Sequence, residues 1–280
     1  MGDSFDKRVT PAKPEVAAMH LKGKVEAARF VEGQTVIAGT GRVSLHAAPS
    51  GTSEQVSEIL YGEAFTVYER GPGWAWGQAE RDGYVGYVTG GVLDVLHGPA
   101  KANARINALM APVFSQPSIK SAIFDYLPLN AVLADDVREG DFVKIAPHAY
   151  IHKQHVGPVA DSDFVTVAER FLDVPYVWGG RTAAGLDCSG LIQTALQAVG
   201  KSAPRDTDMM EKALGVVLGE NEPARRGDLV FWKGHVGVML DGARLLHANA
   251  YHMLVVVEPL VEAVERIVKI AGPVTSIKRL

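Results

Sequence analysis

Residues 186–200 read LDCSGLIQTALQAVG and contain Cys188, the single cysteine of the 280-residue chain. Apolar residues at positions 191, 192, 195, 196 and 199 follow the spacing of one helical face, which predicts a helix from Cys188 to Val199. Gly200 suits the position just after a helix C-terminus. Because a helix N-terminus offers unpaired N–H groups and partial positive charge, this position predicts a reactive cysteine with a lowered pKa. The alternative is a buried, inert cysteine.

Two histidines further along the chain are candidate partners for the thiol. His235 opens the strand-like segment HVGVML, and His247 lies in the strand-like segment RLLHANA. Asp241-Gly242 predicts a tight turn between them, so the two segments would pair as antiparallel neighbours. One imidazole would then face Cys188 while the other orients the first. The alternative is two unrelated strand histidines, but a lone cysteine at a helix start favours a catalytic set.

The last part of the chain, residues 157–280, predicts an α+β fold. Phe164 to Phe171 has a helical pattern, and the predicted helix at Cys188 follows it. Beyond Gly227 come four strand-like segments, DLVFW, HVGVML, RLLHANA and MLVVVEPL. Helices followed by an antiparallel sheet are typical of α+β domains.

The preceding residues predict small all-β domains. Short apolar runs such as TVIAG, VSLHAAPSG and GYVGYV alternate with turn signals, a pattern that favours a small barrel. We expect an N-terminal arm at 1–34, with a helix-like stretch from Val16 to Phe30, then β domains at 35–97 and 98–156.

A weak internal repeat supports two β domains. Arg42-Val43 recurs as Arg105-Ile106, and Gly73-Trp74-Ala75-Trp76 recurs as Gly140-Asp141-Phe142-Val143. Two copies at a near-constant offset favour tandem domains of one kind.

Charge and composition narrow the function classes. A formal net charge of −4, with no block of like charge, argues against a protein that neutralises many phosphates, so no nucleic-acid partner is expected. No apolar run approaches the roughly 18 residues of a membrane span. One cysteine and no visible secretory signal predict a cytoplasmic protein.

The motifs VPYVWGG (174–180), LDCSG (186–190) and RGDLVFW (226–232), with HVGV after it, resemble the NlpC/P60 cysteine peptidases. The two β segments resemble bacterial SH3 (SH3b) domains. The resemblance implies a reduced papain-like fold preceded by two SH3b barrels. It also implies Cys188 as nucleophile, His235 as base and His247 as the residue that orients the base.

The family includes enzymes that cut after γ-D-glutamate in murein peptides such as L-Ala-γ-D-Glu-diaminopimelate, and members with this layout require a free N-terminal L-alanine. The resemblance therefore implies a γ-D-glutamyl-L-diamino acid endopeptidase. The absence of a visible secretory signal indicates recycling of murein peptides inside the cell, and no cofactor or metal is expected. The preferred diamino acid is left open. The implied substrate-binding residues are Glu63, Tyr84, Asp187, Ser189, Asp206, Thr207 and Trp178. The second repeat has Asn130 where Glu63 falls, so only the first could supply a carboxylate for the amine.

Other interpretations remain open at this point. His148, His152 and His155 have a spacing that invites a metal site, although no acidic or cysteine ligand lies close in sequence. A non-catalytic cell-wall peptide binder is a second function class, and an amidase or acyltransferase on the same fold is a third.

Overall fold

The computed structural model describes residues 5–90, 101–158, 163–219 and 222–280. The chain divides into two compact units, Met1–Pro158 and Val159–Leu280. The predicted boundaries within the first unit stay predictions, and the one between residues 97 and 98 lies outside the described residues.

The first unit consists mainly of short strands. Within its described residues the strands are β1 (Ala12–Lys13), β2 (Val16–Ala18), β3 (Phe30–Val31), β4 (Gln34–Ile37), β5 (Arg42–His46), β6 (Gln55–Leu60), β7 (Ala64–Gly71), β8 (Trp74–Ala79), β9 (Val85–Thr89), β10 (Ala104–Arg105), β11 (Met110–Phe114), β12 (Ile123–Pro128), β13 (Val132–Leu133), β14 (Arg138–Glu139), β15 (Phe142–Ala146) and β16 (Ala149–His152). Short 3-10 helices span Met19–Leu21 and Lys153–His155.

Two larger antiparallel sheets form the body of the first unit. In its described part their strand orders are β4-β7-β8-β9-β5-β6 and β12-β11-β16-β15-β14. Each sheet has its own apolar core, one around Leu45 and Phe65 and the other around Leu127 and Ile151. Period-two alternation turns Val43 and Leu45 of β5 inward. The region is therefore all-β as expected, and closure of either sheet into a barrel stays a prediction.

The predicted helix in the N-terminal arm is wrong. Val16–Ala18 forms a strand that pairs in parallel with Phe30–Val31. All three residues of β2 are fully buried. A consecutive buried run fits a strand that is covered on both faces, whereas a helix would bury only every third or fourth residue.

The strand pairing also corrects one match of the internal repeat. β5 pairs with β6 in the first sheet, and β11 pairs with β12 in the second, so β11 is the counterpart of β5 and Arg105-Ile106 is not. The turns after β6 and β12 then align Gly62 with Asn130, and both have left-handed φ angles, 81° and 73°. The counterpart of Glu63 is therefore Ala131, which also carries no carboxylate.

The second unit has the predicted α+β layout. Its described helices are α1 (Phe164–Glu169), α2 (Cys188–Ala198), α3 (Thr207–Ala213) and α4 (Leu260–Ala271). Its described strands are β17 (Arg181–Thr182), β18 (Gly185–Leu186), β19 (Val216–Val217), β20 (Leu229–Trp232), β21 (His235–Met239), β22 (Arg244–Asn249), β23 (Leu254–Pro259) and β24 (Ser276–Arg279). The main antiparallel sheet has the order β19-β24-β20-β21-β22-β23. Helix α2 begins at Cys188, as predicted.

Helix α4 and strand β24 were not predicted. Ala263 and Ile267 of α4 are four residues apart and pack on Trp232 and Leu245 of the sheet. That spacing is a helical signal that the sequence contains. In the part of the chain that the structure describes, no helix combines the length and apolar character that crossing a membrane requires.

Candidate active site

Cys188 lies in the first turn of α2, close to the Asp187 side chain and to backbone groups of Gly234 and Val236. The Asp187 carboxylate caps the helix, since its Oδ1 accepts a hydrogen bond of 2.7 Å from the Gly190 N–H. The thiol donates toward the Gly234 carbonyl, with Sγ 4.0 Å from the oxygen. The backbone N–H of Val236 donates to the sulfur. Cys188 therefore contacts the residues on either side of His235.

The pKa of Cys188 is raised, which corrects the expectation from its position on the helix. Burial raises the pKa to about 12, and the neighbouring Asp187 carboxylate adds to the shift. The N–H groups of Val236 and Ser189, together with the Arg205 guanidinium, act in the opposite direction. Desolvation of a buried thiolate outweighs the helix dipole here, so the resting group is an uncharged thiol.

The two histidines meet across a hairpin. Strands β21 and β22 pair antiparallel, with Val238 opposite Leu246. His235 Nε2 lies 2.8 Å from His247 Nδ1. Gly237 makes room for this contact, because a Cβ at that residue would lie 3.1 Å from the Cβ of His247. The predicted proximity of the two imidazoles is observed, and their catalytic roles stay predictions.

Both imidazoles are uncharged near neutral pH. The pKa of His235 is lowered to about 3, mainly by burial. Repulsion from a protonated His247 and from the Arg266 guanidinium acts in the same direction. Burial also lowers the pKa of His247, although the Glu258 carboxylate opposes that shift. An uncharged imidazole has a lone pair, so His235 can accept a proton.

Three polar residues around His247 were missed by the sequence reasoning. Glu258 Oε1 lies 2.6 Å from His247 Nε2, and Asn249 Nδ2 lies 3.0 Å from the same nitrogen. Glu258 also forms an ion pair with Arg266 of α4. One signal was present, because Glu258 is the single charged residue in the strand-like segment MLVVVEPL.

A buried arginine holds the turn before Cys188, and it too was missed. Arg205 Nη2 lies 2.6 Å from Asp187 Oδ2, and its Nη1 lies 3.0 Å from Asp187 Oδ1. Arg205 Nη1 also donates to Ser189 Oγ at 2.9 Å. The Gly179 N–H donates to Asp187 Oδ2 at 2.8 Å. Asp187 and Ser189, predicted to bind substrate, therefore lie in a buried network that positions Cys188.

The other predicted residues of the second unit lie in its turns and at a helix start. Asp206 is the N-cap residue of α3, and the buried Thr207 begins that helix. Trp178 is 56% exposed. Tyr176, which was not predicted, lies near the thiol. Burial raises its pKa above the usual range, and the nearby Asp187 carboxylate and an ionised Cys188 would raise it further.

Glu63 and Tyr84 lie in the first unit. Glu63 is buried, its Oε2 accepts from the Leu60 N–H at 2.9 Å, and its Oε1 lies 3.0 Å from Arg81 Nε. Tyr84 is buried in the first apolar core. Gly62 allows the turn before Glu63, since a Cβ there would lie 2.1 Å from the Val132 carbonyl oxygen. Their assignment to a substrate amine stays a prediction.

Two of the three histidines considered as a metal site, His152 and His155, pack against other rings. The rings of His152 and Phe142 meet edge to face, with 5.3 Å between their centroids. The ring centroids of His152 and His155 are 6.2 Å apart. Among the residues that the structure describes, no group of three or more His, Cys, Asp or Glu side chains is arranged to hold a metal ion.

Comparison with known proteins identifies both kinds of domain. Residues 173–266 match the NlpC/P60 family, and residues 45–90 match the bacterial dipeptidyl-peptidase Sh3 domain. Gamma-D-glutamyl-L-lysine dipeptidyl-peptidase of Bacillus subtilis is 29% identical over 150 residues, which are 48% of each chain. Dipeptidyl-peptidase 6 of Lysinibacillus sphaericus is 28% identical over 74% of this chain and 84% of its own length. The chain thus spans about half the length of the first relative.

A solved structure supports the same fold. The crystal structure of an NlpC/P60 family protein from Bacillus cereus superimposes with a TM-score of 0.72, covering 88% of this chain and 99% of the other. Its sequence identity is 17%, so this likeness concerns the fold alone. The chain therefore carries an NlpC/P60 domain that contains Cys188, His235 and His247, and before it a bacterial dipeptidyl-peptidase Sh3 domain.

Proposed function

We propose that this protein is a cysteine peptidase that cleaves the γ-D-glutamyl–diamino acid bond of murein peptides such as L-Ala-γ-D-Glu-diaminopimelate. The observation that carries the proposal is the position of the Cys188 sulfur against Gly234 and Val236, with His235 between them and 2.8 Å from His247. A nucleophile, a base and a residue that orients the base are the parts that thiol acyl transfer needs. The name of the Bacillus subtilis relative, gamma-D-glutamyl-L-lysine dipeptidyl-peptidase, supports the bond type.

The proposed reaction begins with the uncharged thiol and imidazole. The raised pKa of Cys188 and the lowered pKa of His235 disfavour a pre-formed thiolate–imidazolium pair. The thiol proton therefore moves to His235 only as the sulfur attacks the γ-carbonyl carbon. The partial positive charge at the N-terminus of α2 would stabilise the developing oxyanion. His235 then gives its proton to the leaving amine, and a thioester to Cys188 remains. Water activated by His235 hydrolyses the thioester and restores the thiol.

The residues proposed to bind the substrate are those that the family resemblance implies. Glu63 and Tyr84 would hold the free amine of the N-terminal L-alanine, because a buried ammonium requires a carboxylate and hydrogen-bond acceptors. Asp206, Thr207 and the exposed ring of Trp178 would contact the peptide. Asp187 and Ser189 would also contact the peptide, and Arg205 would hold both side chains in place.

We also propose that the enzyme acts in the cytoplasm on wall peptides taken up for recycling. A catalytic thiol without a second cysteine is compatible with a reducing compartment. Cell fractionation with an antibody to the native protein tests this location, and recovery from the periplasm or medium would contradict it.

Mass spectrometry of products from a small panel of murein peptides tests the function. We expect L-Ala-γ-D-Glu and a free diamino acid from L-Ala-γ-D-Glu-diaminopimelate. The N-acetylated peptide should be cut far more slowly, because it has no ammonium group. Equal cleavage of both peptides would exclude the amine-binding role of Glu63 and Tyr84, and binding without any product would indicate a non-catalytic binder.

A further inference from the structure

His247 is fully buried, and each of its ring nitrogens has a close polar neighbour. Nδ1 lies 2.8 Å from His235 Nε2, and Nε2 lies 2.6 Å from Glu258 Oε1. A neutral imidazole donates from one nitrogen and accepts at the other. The partner at Nε2 of His247 therefore decides whether Nδ1 donates a hydrogen bond to His235 or accepts one from it.

The strand register brings Glu258 to this nitrogen. On β22 and β23, His247 lies opposite Val256 and Leu245 lies opposite Glu258, so Glu258 is the diagonal neighbour of His247 on the same face. The glutamate side chain is long enough to span that diagonal. Arg266 of α4 forms an ion pair with the same carboxylate oxygen, which leaves the carboxylate side chain only 12% exposed.

Asn249 competes with Glu258 for Nε2 of His247. Its Oδ1 accepts from the His252 N–H at 2.8 Å, so its NH2 group is the part that faces His247 at 3.0 Å. The hydrogen bond from His247 and the charge of Arg266 lower the pKa of Glu258 against the effect of burial, so its carboxylate is ionised at neutral pH. An ionised carboxylate only accepts hydrogen bonds, and the 2.6 Å contact is the shorter of the two.

We infer that Glu258, held by Arg266, is a positioning residue that fixes the tautomers of His247 and His235 and leaves Nδ1 of His235 bare for the proton of Cys188. With the proton of His247 on Nε2, its Nδ1 accepts from Nε2–H of His235, and the second nitrogen of His235 keeps its lone pair. The inference rests on the proposed function for its catalytic meaning. Among the residues that the structure describes, the charged and titratable groups around His247 are Glu258, Arg266, His235 and His252.

Kinetics of Glu258→Gln test the inference. We expect kcat to fall about 10- to 100-fold with KM changed less than about twofold, because the base is misoriented while the binding residues are untouched. The acid limb of the kcat/KM profile should move to lower pH, since His235 loses the support of a negative charge. Glu262→Gln, an exposed glutamate of α4, is the matched control and should leave kcat unchanged.

A double substitution separates positioning from general damage. In a His247→Asn background, Glu258→Gln should change kcat by less than about twofold, because its action passes through His247. The same kcat in Glu258→Gln and Glu262→Gln would overturn the inference. An equally large loss from Glu258→Gln with and without His247 would also overturn it.

A substrate-free measurement keeps the inference separate from the proposed function. Nitrogen-15 shifts of the histidine rings in the unmodified protein should show the proton of His247 on Nε2 and that of His235 on Nε2. A proton on Nδ1 of His247 would exclude the assigned tautomer whatever the peptides do. If the assigned tautomers are found but no murein peptide is cleaved, the proposed function fails while the assignment holds.

Discussion

The two sides of the candidate active site are built in different ways. On the helix side, Asp187, Cys188 and Ser189 are consecutive, and Arg205 binds Asp187 and Ser189 from a later segment of the chain. On the sheet side, His235, His247 and Glu258 come from three strands, and Arg266 comes from a helix. The helix side therefore depends on a local cap and one buried ion pair. The sheet side depends on strand register and on space between side chains.

The largest effect should come from Cys188, the proposed nucleophile on the helix side. Cys188→Ala should reduce kcat by more than about 1,000-fold, because no other thiol is present and covalent catalysis is lost. Peptide binding, measured by calorimetry, should persist because the network of Asp187 and Arg205 is intact. Turnover at the rate of the unmodified protein would exclude the thiol mechanism.

Removing the buried arginine should cost the most stability. Arg205→Met leaves the carboxylate of Asp187 buried without its cation, and we expect the free energy of unfolding to fall by about 3 kcal/mol. Urea unfolding followed by circular dichroism measures this loss. Combining it with Asp187→Asn should recover part of the loss, because the uncompensated charge is gone.

Arg244→Met is the matched control for that ion pair. Arg244 pairs with Asp241 at the surface, where its side chain is 60% exposed, and we expect little change in the urea midpoint. Equal losses from the two substitutions would show that burial does not distinguish these ion pairs.

Strand packing on the sheet side is tested by a single methyl group. In Gly237→Ala the new Cβ would lie 2.8 Å from a methyl of Leu245 and 3.1 Å from the Cβ of His247. We expect kcat to fall about tenfold as the imidazoles move apart, with peptide affinity retained. Gly219→Ala, where a Cβ meets nothing within 4 Å, should leave kcat unchanged. An unchanged kcat in Gly237→Ala would mean that the hairpin accommodates the methyl group.

The smallest effect concerns acid stability on the sheet side. The pKa of His235 is lowered to about 3, whereas an unfolded histidine titrates near its ordinary value of 6.5. The unfolded state therefore binds more protons between these values. The contribution to stability is complete above pH 6.5 and is lost as the pH falls.

Between pH 7 and pH 5 we expect the unmodified protein to lose about 2 kcal/mol more stability than His235→Asn, in urea unfolding at both pH values. An identical loss in the two proteins would show that the pKa of His235 is not lowered.

Local signals predicted the elements that carry the chemistry. The apolar spacing after Cys188 predicted α2, and the Asp241-Gly242 turn predicted the hairpin of β21 and β22. The same reasoning failed at Val16–Ala18, where burial on both faces of a strand overrides a helix-like composition. The domain boundaries within the first unit, and the roles of Glu63 and Tyr84, stay predictions.

The sequence by itself determined where a nucleophile can stand, because helix periodicity and its cap are local properties of residues 186–200. It also determined that two histidines share a hairpin. Only the tertiary structure decided the partners of these groups, since Arg205, Glu258 and Arg266 reach them through packing between distant segments. It also decided their charge: burial reverses the pKa shift that the helix N-terminus predicts for Cys188, because desolvation depends on everything that surrounds the thiol.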